Sequence, residues 1–361
     1  MTQSILKNDP QRIIPFSENL LTWFHKAKRN LPFRETKNPY CIWISEIMAQ
    51  QTQIDTLIPY YHRFTATFPT VQALANAPEE SVLKLWEGLG YYSRAKNLHK
   101  ASKIICSDYG GIFPDHYTEL IKLPGIGPYT GGAIASIAYQ EKVPAIDGNV
   151  LRVIARFNND HSDIAEPKVK ASITHFVTAI LPDSPGDFNE ALMELGALIC
   201  TPKNPKCLLC PVNTLCKAYE SGTCNDLPVK SKKIKQKKLD MEVAIIEQDR
   251  NLYLIKRPPK GLLANLWSFP ITEAGKIPGE ALTQSLSTTF PNLPKGHIIG
   301  TGKHVFSHII WNMTVYYFVL DTTYFCEASA HYGESQAAFK SRDEMNAVAL
   351  PVAFSKLLKL L

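Results

Sequence analysis

From Phe16 to about Leu215, apolar residues recur every three or four positions in short runs, each broken by proline, glycine or asparagine. That period predicts amphipathic helices near Phe16–Lys28, Tyr40–Ile54, Glu79–Glu87, Ser93–Tyr109, Thr130–Ala138, Gly148–Phe157, Lys168–Ile180 and Asp187–Ile199. No part of this half alternates apolar with polar residues as a half-buried strand does, so it reads as all-α. Between Ser221 and Asp240 the chain turns polar, with Lys230, Lys232, Lys233, Lys235, Lys237 and Lys238 on a segment that has little to bury. It reads as a linker. Beyond it, Met241–Glu247 and Leu252–Lys256 flank Gln248–Asn251 as a hairpin, and Trp311–Leu320 is rich in β-branched and aromatic residues. With helices expected at Glu280–Thr289 and Phe354–Leu361, this part reads as α+β. The expected division is 1–220, a linker at 221–240, and 241–361.

Length agrees, since 361 residues suit two domains, three at most. An apolar fraction of 45% with 20% charged residues is that of an ordinary globular protein, and the net charge of +6 leans mildly towards a polyanionic partner. The opening MTQSILKNDPQRIIPF has no charged-then-apolar leader, and no apolar run approaches the roughly 18 residues that span a bilayer. The chain is therefore expected in the cytosol, away from membranes. In that reducing compartment eight cysteines argue against a disulfide framework.

Chemistry enters first at Leu123–Gly127, LPGIG, where Pro124, Gly125, Gly127 and Pro128 interrupt helix-compatible sequence on either side. This is the pattern of a helix-hairpin-helix. Gly125 and Gly127 can take positive φ and expose backbone N–H groups beside the positive end of the next helix, which suits a phosphate. The same residues also fit a plain corner between two helices. Twenty residues on, Asp147 immediately precedes a helix with Val150, Ile154 and Phe157 on one face. An N-cap is the simplest role for it. A carboxylate kept ionised by the helix dipole at the mouth of a cleft could also stabilise a developing cation.

Cys200, Cys207, Cys210 and Cys216 stand as C-x6-C-x2-C-x5-C, close enough for four thiolates to meet at one metal site. Zinc is the generic expectation for four thiolates with a C-x2-C pair. Cys41, Cys106, Cys224 and Cys326 read as bystander thiols.

The hairpin LPGIGPYT, the Asp147 helix and the cysteine loop, in this order, resemble the endonuclease III superfamily of DNA glycosylases. Within it, LPFR at Leu31–Arg34, WISEIMAQQTQ at Trp43–Gln53, GLGYYSRAKNL at Gly88–Leu98 and NEALMELGALIC at Asn189–Cys200 are similar to the MutY adenine glycosylases. The resemblance spans nearly the whole chain. It implies an all-α helix-hairpin-helix glycosylase domain with a [4Fe–4S] loop and a C-terminal α+β Nudix-like domain. GLLANLWSFP at Gly261–Pro270 and HVFSH at His304–His308 carry the latter likeness, without the acidic box of Nudix hydrolases. Recognition is therefore expected there, with no pyrophosphatase activity.

The resemblance further implies roles. Glu46 would donate a proton to adenine N7 and later act as base for water, while Asp147 would stabilise an oxocarbenium-like sugar, electrostatically or through a transient adduct. On position alone Glu46 reads as a surface glutamate, beside the helix face of Tyr40, Trp43, Ile44, Ile47, Met48 and Gln51. Tyr129 and Asn149 would position the sugar and Asp147. Tyr129 also stands where strand-cleaving relatives carry a Schiff-base lysine, which implies a monofunctional glycosylase. Arg29, Arg34 and Glu190 would line the adenine pocket, with Phe33 where tryptophan is usual and Ala49 where leucine is. Gln51, Thr52, Leu89 and Tyr91 would surround the opposite base, Gly125 and Gly127 a phosphate, and Phe306, Ser307 and His308 the 8-oxoguanine. Lys203 and Lys206 are offered to phosphates from the cluster loop. The implied partner is duplex DNA holding A·8-oxoguanine or A·G, met by a monomer. A glycosylase of another base specificity, a damage-binding module without turnover, and a nucleotide-binding Nudix relative fused to a DNA-docking domain are the alternatives.

Overall fold

The computed structural model describes residues 9–231, 236–321 and 336–361, which form two compact units. One takes the described residues up to Asn76 and from Asn97 to 231; the other takes Ala77–Lys96 and the described residues from 236 on. Helices follow one another as α1 (Pro10–Ala27), α2 (Pro39–Ala49), α3 (Ile54–Thr67), α4 (Val71–Asn76), α5 (Glu79–Leu85), α6 (Ser93–Asp108), α7 (Tyr117–Leu120), α8 (Pro128–Tyr139), α9 (Gly148–Asn158), α10 (Pro167–Ala179), α11 (Pro185–Leu198) and α12 (Lys217–Glu220).

Local chemistry sets several of these boundaries. Asn38 accepts from Tyr40 N at 2.9 Å and opens α2, and Asp9 does the same for α1 through Gln11 N. The single helix expected over Tyr40–Ile54 is in fact two. Gln51 takes a left-handed φ of 59°, so α2 ends at Ala49 and α3 begins at Ile54. Burial on α2 also extends well beyond the expected stripe, to Ile42 and Ser45. In the core of this unit Phe16, Leu20 and Phe24 of α1 meet Val150, Ile154 and Phe157 of α9 and Phe188 and Leu192 of α11. The Phe16 and Phe157 rings lie 4.3 Å apart. Each such fully buried ring contributes roughly 1.5–3 kcal/mol. This packing fixes α9 and α11, which carry much of the site.

The second unit is a mixed sheet of β1 (Lys237–Gln248), β2 (Asn251–Lys256), β3 (Trp267–Ser268), β4 (Ile271–Glu273), β5 (His297–Val305), β6 (Ile309–Leu320) and β7 (Ala337–Lys340). The order is β3-β2-β1-β6-β5, with β4 also on β1 and β7 on β2. β1 and β6 run parallel from Lys237 opposite Ile309 to Gln248 opposite Leu320. β1 thus starts inside the stretch read as a linker. The β1–β2 turn is tighter than expected, because Asp249 and Arg250 both take positive φ, 50° and 63°, and form a two-residue hairpin turn. Side chains alternate between two faces. Val243 and Ile245 face Met345 of α14 (Arg342–Ala347), Phe354 of α15 (Val352–Ser355) and Leu357, whereas Ala244 and Ile246 face Leu282 and Leu286 of α13 (Glu280–Leu286).

Ala77–Lys96 joins this unit by polar contacts. Trp267 Nε1 donates to Glu80 Oε1 at 2.6 Å, Asn265 Nδ2 to Glu79 at 3.1 Å and Lys84 Nζ to Val348 O at 3.0 Å. Lys96 Nζ reaches Ala264 O, and Glu87 accepts from Leu350 N at 3.3 Å. Among the described residues no helix is long and apolar enough to cross a membrane.

Candidate active site and cysteine loop

A cavity of about 1080 Å³ opens in the first unit, and Arg34, Glu46, Tyr129, Asp147, Asn149 and Glu190 all line it. Glu46 comes from the last turns of α2, Tyr129 from the start of α8, Asp147 from the start of α9 and Glu190 from α11. Helix ends and one central helix therefore converge on a single space.

Glu46 is partly buried, and its Oε2 accepts from the Tyr129 hydroxyl at 2.5 Å. Burial is the chief force pushing its carboxyl up, to about 7; Glu190 and Asp147 add to this, while the Tyr129 bond and Arg34 oppose it. Burial drives the Tyr129 hydroxyl far above its ordinary range, so it stays a donor. A second contact, to Met193 Sδ at 3.3 Å, holds it in place.

Asp147 is both cap and pocket residue. Its Oδ1 accepts from Val150 N at 2.8 Å, as an N-cap must, and its Oδ2 accepts from Asn149 Nδ2 at 2.7 Å. Burial raises its carboxyl above the usual range, and the Val150 and Asn149 bonds offset part of that rise. Asn149 is held in turn by Arg152, whose Nη2 donates to Asn149 Oδ1 and to Gly196 O, both at 2.8 Å, and whose Nε donates to Cys200 O at 2.7 Å.

The opposite wall is an ion-pair cluster. Arg34 Nε lies 3.2 Å from Glu190, and its Nη2 donates to Glu194 at 2.9 Å. Glu194 also accepts Arg29 N and Nε at 2.9 Å and Nη2 at 2.7 Å. Its side chain is fully buried; desolvation opposes ionisation, but the Arg29 and Arg34 bonds outweigh it and hold the carboxyl down to about 2. Burial lifts Glu190 instead, against the pull of Arg34. The sequence reading missed Glu194, although its place one helical turn after Glu190 puts both on one face of α11. It also missed Asn189, which accepts from Ala145 N at 3.1 Å and donates to Val143 O at 2.9 Å, bracing the segment that leads to Asp147. Phe33 and Ala49 line the cavity as expected apolar wall.

At the hairpin Gly125 has φ +80°, and a Cβ there would stand 2.7 Å from Asn97 Cβ. Gly127 does not need positive φ: it sits extended at φ −88°, ψ −179°, and caps α8, its carbonyl accepting from Gly131 N at 2.8 Å. Gln51 is exposed and Thr52 partly buried at the cavity rim. In the second unit Leu89 is buried, whereas Tyr91 is 43% exposed at a left-handed φ of 48°. Bulky residues adopt that conformation only where the surroundings enforce it. Phe306, Ser307 and His308 form the β5–β6 turn. Phe306 folds inward, its ring 4.9 Å from that of Trp311, and leaves Ser307 and His308 exposed.

Cys200, Cys207, Cys210 and Cys216 line one small cavity together with Arg156 and Cys224. Arg156 Nη1 donates to Cys200 Sγ at 3.3 Å and to Thr201 O at 2.7 Å, and its Nε to Leu227 O at 2.9 Å. The four cysteines surround one space, which fits a four-iron cluster that their thiolates would hold. When bound, such a cluster ties the loop together and can exchange an electron. Lys203 and Lys206 are exposed between the cysteines, as expected. Cys326 lies outside the described residues.

The HhH-GPD superfamily of base excision DNA repair proteins matches residues 44–178, and the iron-sulfur binding domain of endonuclease III matches 200–216. A thermostable thymine-DNA glycosylase superimposes with a TM-score of 0.54 at 28% identity, over 59% of this chain and 98% of that one. A non-covalent endonuclease III–DNA complex, 23% identical with a TM-score of 0.51, shares the fold. The first unit is thus a helix-hairpin-helix DNA glycosylase with a [4Fe–4S] loop, and residues 242–360 match a NUDIX domain. An adenine DNA glycosylase of Buchnera aphidicola subsp. Schizaphis graminum is 40% identical over 72% of this chain and 75% of its own length. Those of rat and human are 34% and 33% identical over 88% of this chain, and 72% and 69% of theirs. The chain belongs to the adenine DNA glycosylase family.

Proposed function

We propose that this enzyme removes adenine mispaired with 8-oxoguanine or guanine in duplex DNA and leaves the strand uncut. One observation carries the reading: a carboxyl near 7 on Glu46 and a braced carboxylate on Asp147 line the same cavity. Adenine leaves poorly as an anion, so the reaction needs an acid at the base and negative charge beneath the sugar.

Flipping adenine into the cavity costs a few kcal/mol in lost stacking and pairing. Protonated Glu46 gives its proton to adenine N7, the glycosidic bond breaks, and Asp147 stabilises the cationic sugar. Glu46, now a carboxylate, takes a proton from the attacking water. Arg34 and Glu190 engage the purine edge, Asn149 holds Asp147, and Tyr129, with no amine to offer, forms no Schiff base. Gln51, Thr52, Leu89 and Tyr91 serve the opposite base, Ser307 and His308 read the lesion, and Gly125, Gly127, Lys203 and Lys206 serve phosphates. The work is that of a cytosolic monomer on DNA, with the sheet beginning at Lys237 and its unit including Ala77–Lys96, and with lysines of the 221–240 stretch that can also touch phosphates.

Single-turnover base release from A·8-oxoguanine, A·G and A·T duplexes, with Glu46→Gln as control, tests this. Adenine is expected from the first two substrates and none from the variant. Tight binding without release would instead make the chain a damage-binding module. An adduct trapped by borohydride at high yield would overturn the monofunctional assignment.

A further inference from the structure

Cys224 lies eight residues beyond the segment that matches the iron-sulfur domain, yet it lines the same cavity as the four cluster cysteines. It is 8% exposed, packed with Ala218 and Leu227 against Cys207 and Cys216. Its Sγ is 3.7 Å from Cys207 Sγ, within range of a hydrogen bond between sulfurs. A ligating Cys207 is a thiolate without a proton, so in the loaded protein only Cys224 can donate across that distance. We propose that Cys224 is not a ligand but a hydrogen-bond donor to the Cys207 thiolate, and that it sets the electronic character of the cluster.

The physical basis is general. A donor to a ligating sulfur draws electron density from the metal–sulfur bond and stabilises the more reduced cluster, so such bonds raise reduction potentials. Arg156 supplies a donor of this kind to Cys200. Cys224 supplies one to a second thiolate, from a buried position where the bond is not replaced by one from water.

The test uses the full-length, cluster-loaded protein with Cys224→Ala and Cys224→Ser. Iron and sulfide per chain are measured first, then the reduction potential by protein electrochemistry. Electron–nuclear double resonance follows on the oxidised, paramagnetic cluster before and after exchange into D2O. Alanine is expected to keep four irons, shift the potential to more negative values and lose one exchangeable-proton coupling. Serine, which keeps a donor, is expected to hold the coupling and return part of the shift. Unchanged potential and coupling in the alanine variant would overturn the proposal. So would failure of both variants to assemble a cluster, because Cys224 would then be a ligand or a structural requirement of the loop.

Discussion

In the proposed mechanism, protonation of Glu46 is where a single residue controls the rate. Its carboxyl titrates near 7, raised from 4.5, so the acid form needed for donation is lost as pH climbs through that value. Single-turnover adenine release is therefore expected to fall above pH 7. Removing the Tyr129 bond, which lowers the Glu46 value, is expected to move the fall to higher pH, and a Tyr129→Phe profile displaced to lower pH would refute the coupling. Glu194 works in the other direction. Its folded value of about 2 lies below the 4.5 of the unfolded chain, so the stability it contributes is present above pH 4.5 and is lost as pH falls towards 2. Such a gap corresponds to roughly 3 kcal/mol, shared with Arg29 and Arg34 and not additional to them. In urea unfolding, wild type should exceed Glu194→Gln by about that amount at neutral pH, and the two should converge in acid. A constant difference from pH 7 to pH 3 would assign the loss to packing. Sequence marked Asp147 from its place before an apolar helix, but made Glu46 a candidate only through the family pattern, because its titration depends on residues such as Tyr129 and Glu190, which lie far from it along the chain.

At the scale of elements, α11 positions most of the site: Asn189 braces the approach to Asp147, Glu190 and Glu194 hold the arginines, and Gly196 lets α9 come close. A Cβ on Gly196 would lie 2.6 Å from Asn149 Cβ, a distance real side chains do not tolerate. Gly196→Ala must therefore push Asn149 aside and strip Asp147 of its 2.7 Å bond. We expect base release to fall by at least tenfold, about the 1.4 kcal/mol that one hydrogen bond to a charged group can supply, with duplex binding nearly unchanged. Parallel loss of binding and release would mean that the two helices separate more broadly. The helices themselves were largely legible, since caps such as Asn38 and Asp147 and the Pro-Gly punctuation stand in the sequence. The break at Gln51 was not, because a left-handed glutamine carries no compositional mark. α3 was not among the expected helices, although buried Leu57, Tyr61 and Phe64 keep helical spacing through its Pro59. At Gly127 the positive φ open to a glycine goes unused, because the residue caps α8 in an extended conformation.

Across the whole molecule, the least legible feature is that Ala77–Lys96 belongs with the sheet unit. Nothing local marks it, for the bonds responsible join residues nearly two hundred positions apart, such as Glu80 and Trp267. The consequence is functional. The segment carrying Leu89 and Tyr91 is tied to the same unit as the Ser307–His308 turn, so residues assigned to the opposite base share one support. Glu80→Gln and Trp267→Phe each weaken that tie without touching the cavity of the first unit. We expect either change to reduce the preference for A·8-oxoguanine over A·G by about three- to tenfold, the worth of one charge-assisted hydrogen bond of which part is regained from water. The maximal single-turnover rate on the A·8-oxoguanine duplex should stay near wild type, because Glu46 and Asp147 keep their surroundings. The two rates are measured side by side at saturating enzyme and again at limiting enzyme, and the double variant is compared with each single one. A preference that falls no further in the double variant than in either single one is expected for one shared bond. Equal losses on both duplexes would show that the segment supports catalysis generally and has no part in reading the lesion.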